Sequence, residues 1–260
     1  MNIYLQLTEL FNREKLRAII CSRQAVVLHR LAIMSKDGDW ILREEDEALN
    51  HILKILAAHG AHYRFGAPLD LRWLKGGWSS HLEFQYGNLR VRTDFFTRPP
   101  RIAPNVLQNL WKSQEGKHPA FVGVSELAEL KKTNREKDYV ILGELARKIT
   151  DIDGQIFYSR SARDLMELKT SHPDAWQEGL KKREILQSAT LGLESLEAAL
   201  DREKRLLIRE NEVRLDRYEK ASTAWSVCWQ KLSKQNNKHN LMDTHANLIA
   251  HAEGVLPYEP

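Results

Sequence analysis

Apolar positions change period several times over the first 150 residues, and each change marks an expected element. From Leu5 to Cys21, the residues Leu7, Leu10, Phe11, Leu16, Ile19 and Ile20 fall near helical spacing and predict a helix. Ala25 to Leu31, with Val26, Val27 and Leu28, is apolar and partly β-branched, which predicts a strand. Lys36-Asp37-Gly38-Asp39 reads as a turn into a short return strand at Trp40-Ile41-Leu42. Glu44 to His59 has an acidic first turn and an apolar face of Leu49, Ile52, Leu53, Ile55 and Leu56, so it predicts a helix that Gly60 ends. A strand at His62–Phe65, a turn at Gly66 and a helix over Leu69–Lys75 follow. Strands at His81–Gln85 and Leu89–Phe96 are joined by Tyr86-Gly87-Asn88, and Pro99-Pro100 closes the sheet region. Beyond it come a helix over Pro104–Lys112, a short strand over Phe121–Val124, and helices over Ser125–Lys132 and Asn134–Ile149.

The remainder changes character. Asp151-Ile152-Asp153-Gly154 breaks the pattern, and then Leu186, Leu193, Leu200 and Leu207 recur every seven residues. Glu and Arg crowd the positions between Glu197 and Arg217, as on a solvated helix. The expected fold class is α+β: a small mixed sheet with helices over 1–150, followed by a helical region with a long charged helix over 151–260. Phe11, Trp40, Trp73 and Trp111 are the expected core aromatics, and Trp225 and Trp229 pack on the core or on a second subunit.

Composition narrows the class. With 42% apolar and 28% charged residues over 260 positions, the chain can bury a core of ordinary size. The net charge of +4 permits nucleotide or nucleic-acid binding without demanding it. Cys21 and Cys228 are too few and too far apart for a disulfide framework or a zinc site. No apolar stretch reaches the roughly 18 residues of a membrane helix, so a cytoplasmic protein without a membrane partner is expected.

Candidate chemistry gathers between Gly66 and Asp94. A glycine turn at Gly66-Ala67 opens a helix, and two strands then carry acids among apolar neighbours. His81 and Glu83 lie two apart and therefore on one strand face, with Asp94 on the next strand. Phosphoryl transfer needs carboxylates to hold a divalent cation and donors to cradle phosphates. Arg90, Arg92, Arg98 and Arg101 fall within twelve residues of one another beside these acids, and guanidinium forks suit phosphates. Trp78-Ser79-Ser80-His81 does not make a hydrolase, because no Gly-x-Ser-x-Gly turn occurs and Ser80 and His81 face opposite ways. His239, His245 and His251, six apart, fit neither one helix face nor zinc spacing and are expected at the surface.

In this order and spacing the segment resembles the nucleotidyltransferase superfamily of DNA polymerase beta, especially its small bacterial toxin-antitoxin and abortive-infection branches. The pattern there is an apolar residue, Gly, Gly or Ser, about ten residues, two carboxylates one apart, and a third carboxylate on a later strand. Phe65-Gly66-Ala67 matches the opening, thirteen residues separate Ala67 from His81, and His81-Leu82-Glu83 and Asp94 take the acidic positions. Val124 to Lys132, then Arg135-Glu136-Lys137-Asp138, is similar to the helical segment that follows the sheet. His81 stands for the first carboxylate and Ala67 for the Gly or Ser, which makes the metal motif degenerate.

The resemblance implies that Glu83, Asp94 and His81 are catalytic, with Glu83 and Asp94 holding Mg²⁺ or Mn²⁺. It also implies that Gly66, Ala67, Arg90, Arg92 and Lys131 bind nucleotide. Two functions remain open. One is metal-dependent transfer of a nucleotide from an NTP to an RNA or protein acceptor. The other is a catalytically degenerate nucleotide-binding or partner-binding module of a bacterial defence or toxin-antitoxin system, with the helical region docking a protein.

Overall fold

The computed structural model describes residues 2–132, 136–236 and 240–260. In chain order the first elements are α1 (Ile3–Phe11), β1 (Ala18–Cys21), α2 (Ser22–Leu28), β2 (Asp37–Leu42), α3 (Asp46–Ala58) and β3 (His62–Tyr63). They continue with α4 (Leu71–Lys75), β4 (Ser80–Tyr86), β5 (Leu89–Phe96), α5 (Pro104–Gln114), α6 (Val124–Lys131) and α7 (Glu136–Lys148). Then come α8 (Ile152–Tyr158), α9 (Ala162–Ser171), α10 (Pro173–Lys182), a 3₁₀ segment at Glu184–Leu191, α11 (Leu193–Ala221), α12 (Thr223–Asn236) and α13 (Leu241–Ala252). The chain is α+β, a five-stranded mixed sheet with helices and a helical C-terminal region.

Its contacts form two units rather than one cut near residue 150. One comprises 1–122 together with 216–260, and the other 123–215. Within the first unit the strand order is β1-β2-β5-β4-β3. β2 and β5 run parallel, and every other neighbouring pair is antiparallel.

Three expectations near the N-terminus give way to other structures, and together they build the site. First, the apolar run from Leu5 to Cys21 is a helix followed by a strand. Asn12 turns the chain between them: its Oδ1 accepts from the amides of Arg17 and Ala18, both at 2.8 Å, and Glu14 takes φ 69°. Ile19 and Ile20 are then buried strand residues. Second, Ala25–Leu31 is not a strand, because β1 turns sharply at Ser22 (φ 54°) into α2 and buries Ala25 and Val26 on its inner side. A short apolar run carries no period long enough to separate the two cases.

Third, Asp37-Gly38-Asp39 is not a turn but the start of β2, whose burial alternates: Asp37 and Asp39 half-buried, Gly38 and Trp40 buried. Gly38 is required there. A β-carbon on it would lie 2.4 Å from the Trp40 ring and 2.5 Å from the Tyr4 ring.

Trp40 anchors the apolar side of the sheet. It stacks on Phe95 (5.5 Å between centroids), meets Phe11 edge-on (5.4 Å) and donates its Nε1–H to Thr8 (2.9 Å). Trp73 is fully buried as expected, whereas Trp111 is half-buried under the Arg43 guanidinium. Trp225 belongs to the core of this unit and donates to the Gly66 carbonyl (2.9 Å), with Trp229 half-buried beside Phe65. His245 is not a surface group, since its ring stacks on Tyr63 and its Nδ1 lies 2.7 Å from the Tyr63 hydroxyl. His239 lies outside the described residues.

The second unit closes on Ile156, Leu165, Trp176, Leu186, Leu196 and Leu200. The seven-residue leucines do not form one seam. Leu186 lies in the 3₁₀ segment, which a left-handed Gly192 (φ 104°) ends, and Leu193 is exposed. The expected strand at Phe121–Val124 reduces to a single bridge between Ile20 and Phe121, and α6 begins at Val124. Asp151 acts as the N-cap of α8, so the break there starts a helix. The helix expected from Asn134 begins outside the described residues and is seen as α7.

Candidate functional site

Strand register sorts the sheet into an apolar face and a charged one. Opposite residues on neighbouring strands share a face, and alternate residues along a strand do too. Asp39 is paired with Asp94, Asp37 with Arg92, His81 with Asp94, Glu83 with Arg92, and His62 with Glu83. One face therefore carries Asp37 and Asp39 from β2, Arg90, Arg92 and Asp94 from β5, His81 and Glu83 from β4, and His62 from β3. Behind it lie buried Trp40, Val91, Phe95, Leu82, Phe84 and Tyr63.

His81, Glu83 and Asp94 thus do share a face, but their side chains go to different partners. Glu83, 7% exposed, is gripped by Arg90 at 2.7 and 3.0 Å and by His62 at 3.2 Å, with Arg64 at 3.7 Å. Burial alone would raise its pKa, and the Arg90 hydrogen bonds outweigh that, so the carboxyl is held below its usual range. Asp94 accepts from His81 Nδ1 at 2.7 Å and from Arg64. Arg64 bridges the two acids.

The expected phosphate cradle is occupied by the protein itself. Gly66 lies against His81, where a β-carbon would come within 2.5 Å of the imidazole ring, and its carbonyl is taken by Trp225. The buried Ala67 gives its amide to the Ser79 carbonyl at 3.1 Å. Arg90 is committed to Glu83, and Arg92 stands 3.6 Å from Asp37. Arg98 pairs with Glu44 instead. Lys131 belongs to the second unit, where it is 4% exposed and meets Asp138 at 3.3 Å. Arg135, in the same expected cluster, lies outside the described residues.

The structure brings forward two acids that reading Asp37-Gly38-Asp39 as a turn had hidden. They stand two apart on β2, Asp39 directly beside Asp94 on the parallel neighbour. Just before them in the sheet, β1 ends at Cys21, which is paired with Asp39. Ile20-Cys21-Ser22, fourteen intervening residues, Asp37-x-Asp39 and then Asp94 follow the order of the pattern expected at Gly66, with Cys21 in place of its glycine and a longer gap. The signal available in the sequence was the D-G-D-W alternation ahead of an apolar run. Burial pushes the nearby Tyr4 phenol up to about 12; the charges of Asp37 and Asp39 add to this and Arg92 opposes it.

Carboxylate oxygens are the donor type a hard cation such as Mg²⁺ takes, so the chemistry of Asp37, Asp39 and Asp94 fits one. Asp37 is met by Arg23 (3.7 Å) and Arg92, Asp94 by Arg64 and His81. Among the described residues no three His, Cys, Asp or Glu side chains are gathered in a metal-binding arrangement.

No protein-family model matches the chain, and no curated protein matches it. Among solved structures it is similar to the "putative nucleotidyltransferase from H. pylori", at 12% identity and a TM-score of 0.40, over 80% of this chain and 93% of that one. No helix among the described residues is long and apolar enough to cross a membrane.

Proposed function

We propose that the chain is a nucleotidyltransferase whose acidic set is Asp37, Asp39 and Asp94. The observation that carries this reading is the register of β2 on β5, which stands Asp39 beside Asp94 with Asp37 two residues along the same face. Ser22 and Arg23, at the turn that follows the Cys21 partner of Asp39, take the phosphates of an NTP. His81 and Arg64 fix the Asp94 carboxylate, and Glu83 organises Arg90 and Arg64 rather than holding a cation. Asp37, Asp39 and Asp94 would hold Mg²⁺ or Mn²⁺ on release from their present cationic partners, and the ion would supply charge neutralisation at the phosphoryl group. The acceptor is an RNA or protein hydroxyl.

A second reading, a nucleotide-binding or partner-binding module without catalysis, has one observation in its favour: Asp37 and Asp94 are already paired with cationic side chains. Incubating the protein with labelled NTPs, Mg²⁺ or Mn²⁺ and total RNA separates the two. The proposal expects label transfer that falls about 10²-fold or more in Asp39→Ala, the scale of losing one preorganised electrostatic partner. Absence of transfer with either metal, or transfer undiminished in Asp39→Ala, favours the module.

A further inference from the structure

The hairpin of β4 and β5 reaches further than the strands beside it. β2 joins β5 only from the Asp37–Arg92 pair onward, and β3 joins β4 only at Leu82 and Glu83. Among the described residues, Leu89, Arg90 and Val91 are therefore paired on the β4 side alone. Tyr86 and Leu89 close the Gly87-Asn88 turn as a hydrogen-bonded pair, so the backbone N–H and C=O of the next residue, Arg90, point away from β4. An open edge of this kind accepts a further strand.

Beside that edge lies a cavity of about 640 Å³, and all of its walls belong to the first unit. Leu89 and Arg90 form one wall, and Ile33, Met34 and Lys36, from the segment leading into β2, form another. Ile3 and Val27 add to the apolar lining. Ile33 and Met34 are 98% and 73% exposed, and Tyr86 and Leu89, which also line the cavity at the hairpin tip, are exposed as well. Large apolar side chains gathered on one rim mark an interaction surface, whereas single ones scattered over a protein do not.

The charge of the walls has one sign. They hold Lys36, Arg90 and Arg92 and, among the described residues, no acid. Arg90 is turned to Glu83 and Arg92 to Asp37. The exposed Lys36 ammonium has no acidic partner among the described residues.

We propose that this edge binds an extended peptide segment of a partner protein, in which apolar and acidic residues alternate. Its backbone pairs with the Arg90 N–H and C=O, its apolar side chains enter the cavity beside Leu89, Val27 and Ile33, and an acid meets Lys36. The alternation follows from the period of a strand, which sends successive side chains to opposite sides. An open strand edge matches the regular amides and carbonyls of another polypeptide, which RNA lacks, and the lining is mainly aliphatic. The proposal concerns binding alone and stands whether or not the acidic set transfers nucleotides.

Fluorescence polarisation of the full chain with a labelled hexapeptide of alternating valine and aspartate tests it. The peptide binds saturably below about 1 mM. An analogue methylated on every backbone nitrogen binds about tenfold more weakly or not at all, since no donor remains for the Arg90 carbonyl. Met34→Asp, at an exposed position, weakens the parent peptide about tenfold by setting a like charge in the cavity. Lys36→Glu weakens it about threefold or more. No saturation below about 1 mM, equal binding of the methylated analogue, or unchanged binding in both variants overturns the assignment. So does displacement of the peptide by oligouridylate, which makes the site one for RNA, or a dimer that Met34→Asp dissociates, which makes it a self-interface.

Discussion

At the scale of single residues, Glu83 and Asp94 separate two roles that their shared face would otherwise blur. Glu83 is enclosed by cationic side chains and is mainly a structural hub; Asp94 is oriented by one imidazole and one guanidinium beside a second aspartate. Replacing Glu83 by Gln leaves Arg90 and Arg64 short of a buried counter-charge, and should lower stability by about 1–3 kcal/mol. Urea unfolding gives the change directly, and label transfer should stay within a few-fold of the parent. Asp94→Asn should do the reverse, losing transfer with a smaller loss of stability.

The pH dependence follows with a fixed sign. Burial would raise Glu83 and Glu203, yet hydrogen bonds from Arg90 and Arg183 hold both below the ordinary 4.5 in the folded protein. Their contribution to stability is complete above that value, because both states are then ionised, and it is lost as pH falls through the lowered folded values. Urea midpoints should therefore drop steeply below about pH 4.5, and Glu83→Gln should make the drop shallower. A midpoint that stays level down to pH 3 would contradict the ion pairing described for both groups.

At the scale of elements, the β1-α2-β2 segment decides whether a site exists at all. Gly38 carries no side chain because Trp40 and Tyr4 occupy that space, so Gly38→Ala must push buried rings aside. The expected cost is about 1–3 kcal/mol by thermal unfolding, together with loss of transfer as Asp37 and Asp39 shift. Ser22→Gly relieves a left-handed residue and should raise stability by up to about 1 kcal/mol.

The same segment marks where reading the sequence runs out. Long elements with a clear period, such as α3 with its acidic first turn or the β4–β5 hairpin at Gly87, could be placed from residues alone. β1 and α2 could not, since four and seven residues hold too little period to separate helix from strand, and the turn between them sits on a serine instead of a glycine. Asp-Gly-Asp is strong turn chemistry locally. Only pairing with β1 and β5, an interaction distant in sequence, makes it a strand. Half of the candidate site was therefore visible, Asp94 and His81 with their neighbouring arginines, and the β2 aspartates were not.

At the scale of the whole molecule, the first unit is built from both ends of the chain, which gives the C-terminal tail a structural duty. Trp73 and Trp78 donate their indole N–H groups to the carbonyls of Leu256 (3.1 Å) and Pro257 (2.9 Å). Gly76 makes room for this tail, since a β-carbon there would strike the Tyr258 carbonyl at 1.7 Å. Ending the chain at Gly254 leaves both indoles without acceptors, at about 1–3 kcal/mol each. Near-ultraviolet circular dichroism and the unfolding midpoint should both report the loss, and an unchanged midpoint would mean that the tail does not support this unit.

The acidic set itself is tested most directly by Mn²⁺ binding in the presence of an NTP, followed by electron paramagnetic resonance on the parent, Asp39→Asn, Asp94→Asn and Glu83→Gln. The two aspartate variants should lose bound Mn²⁺ while Glu83→Gln keeps it. Retention in Asp39→Asn with loss in Glu83→Gln would return the metal position to β4 and contradict the assignment to β2 and β5.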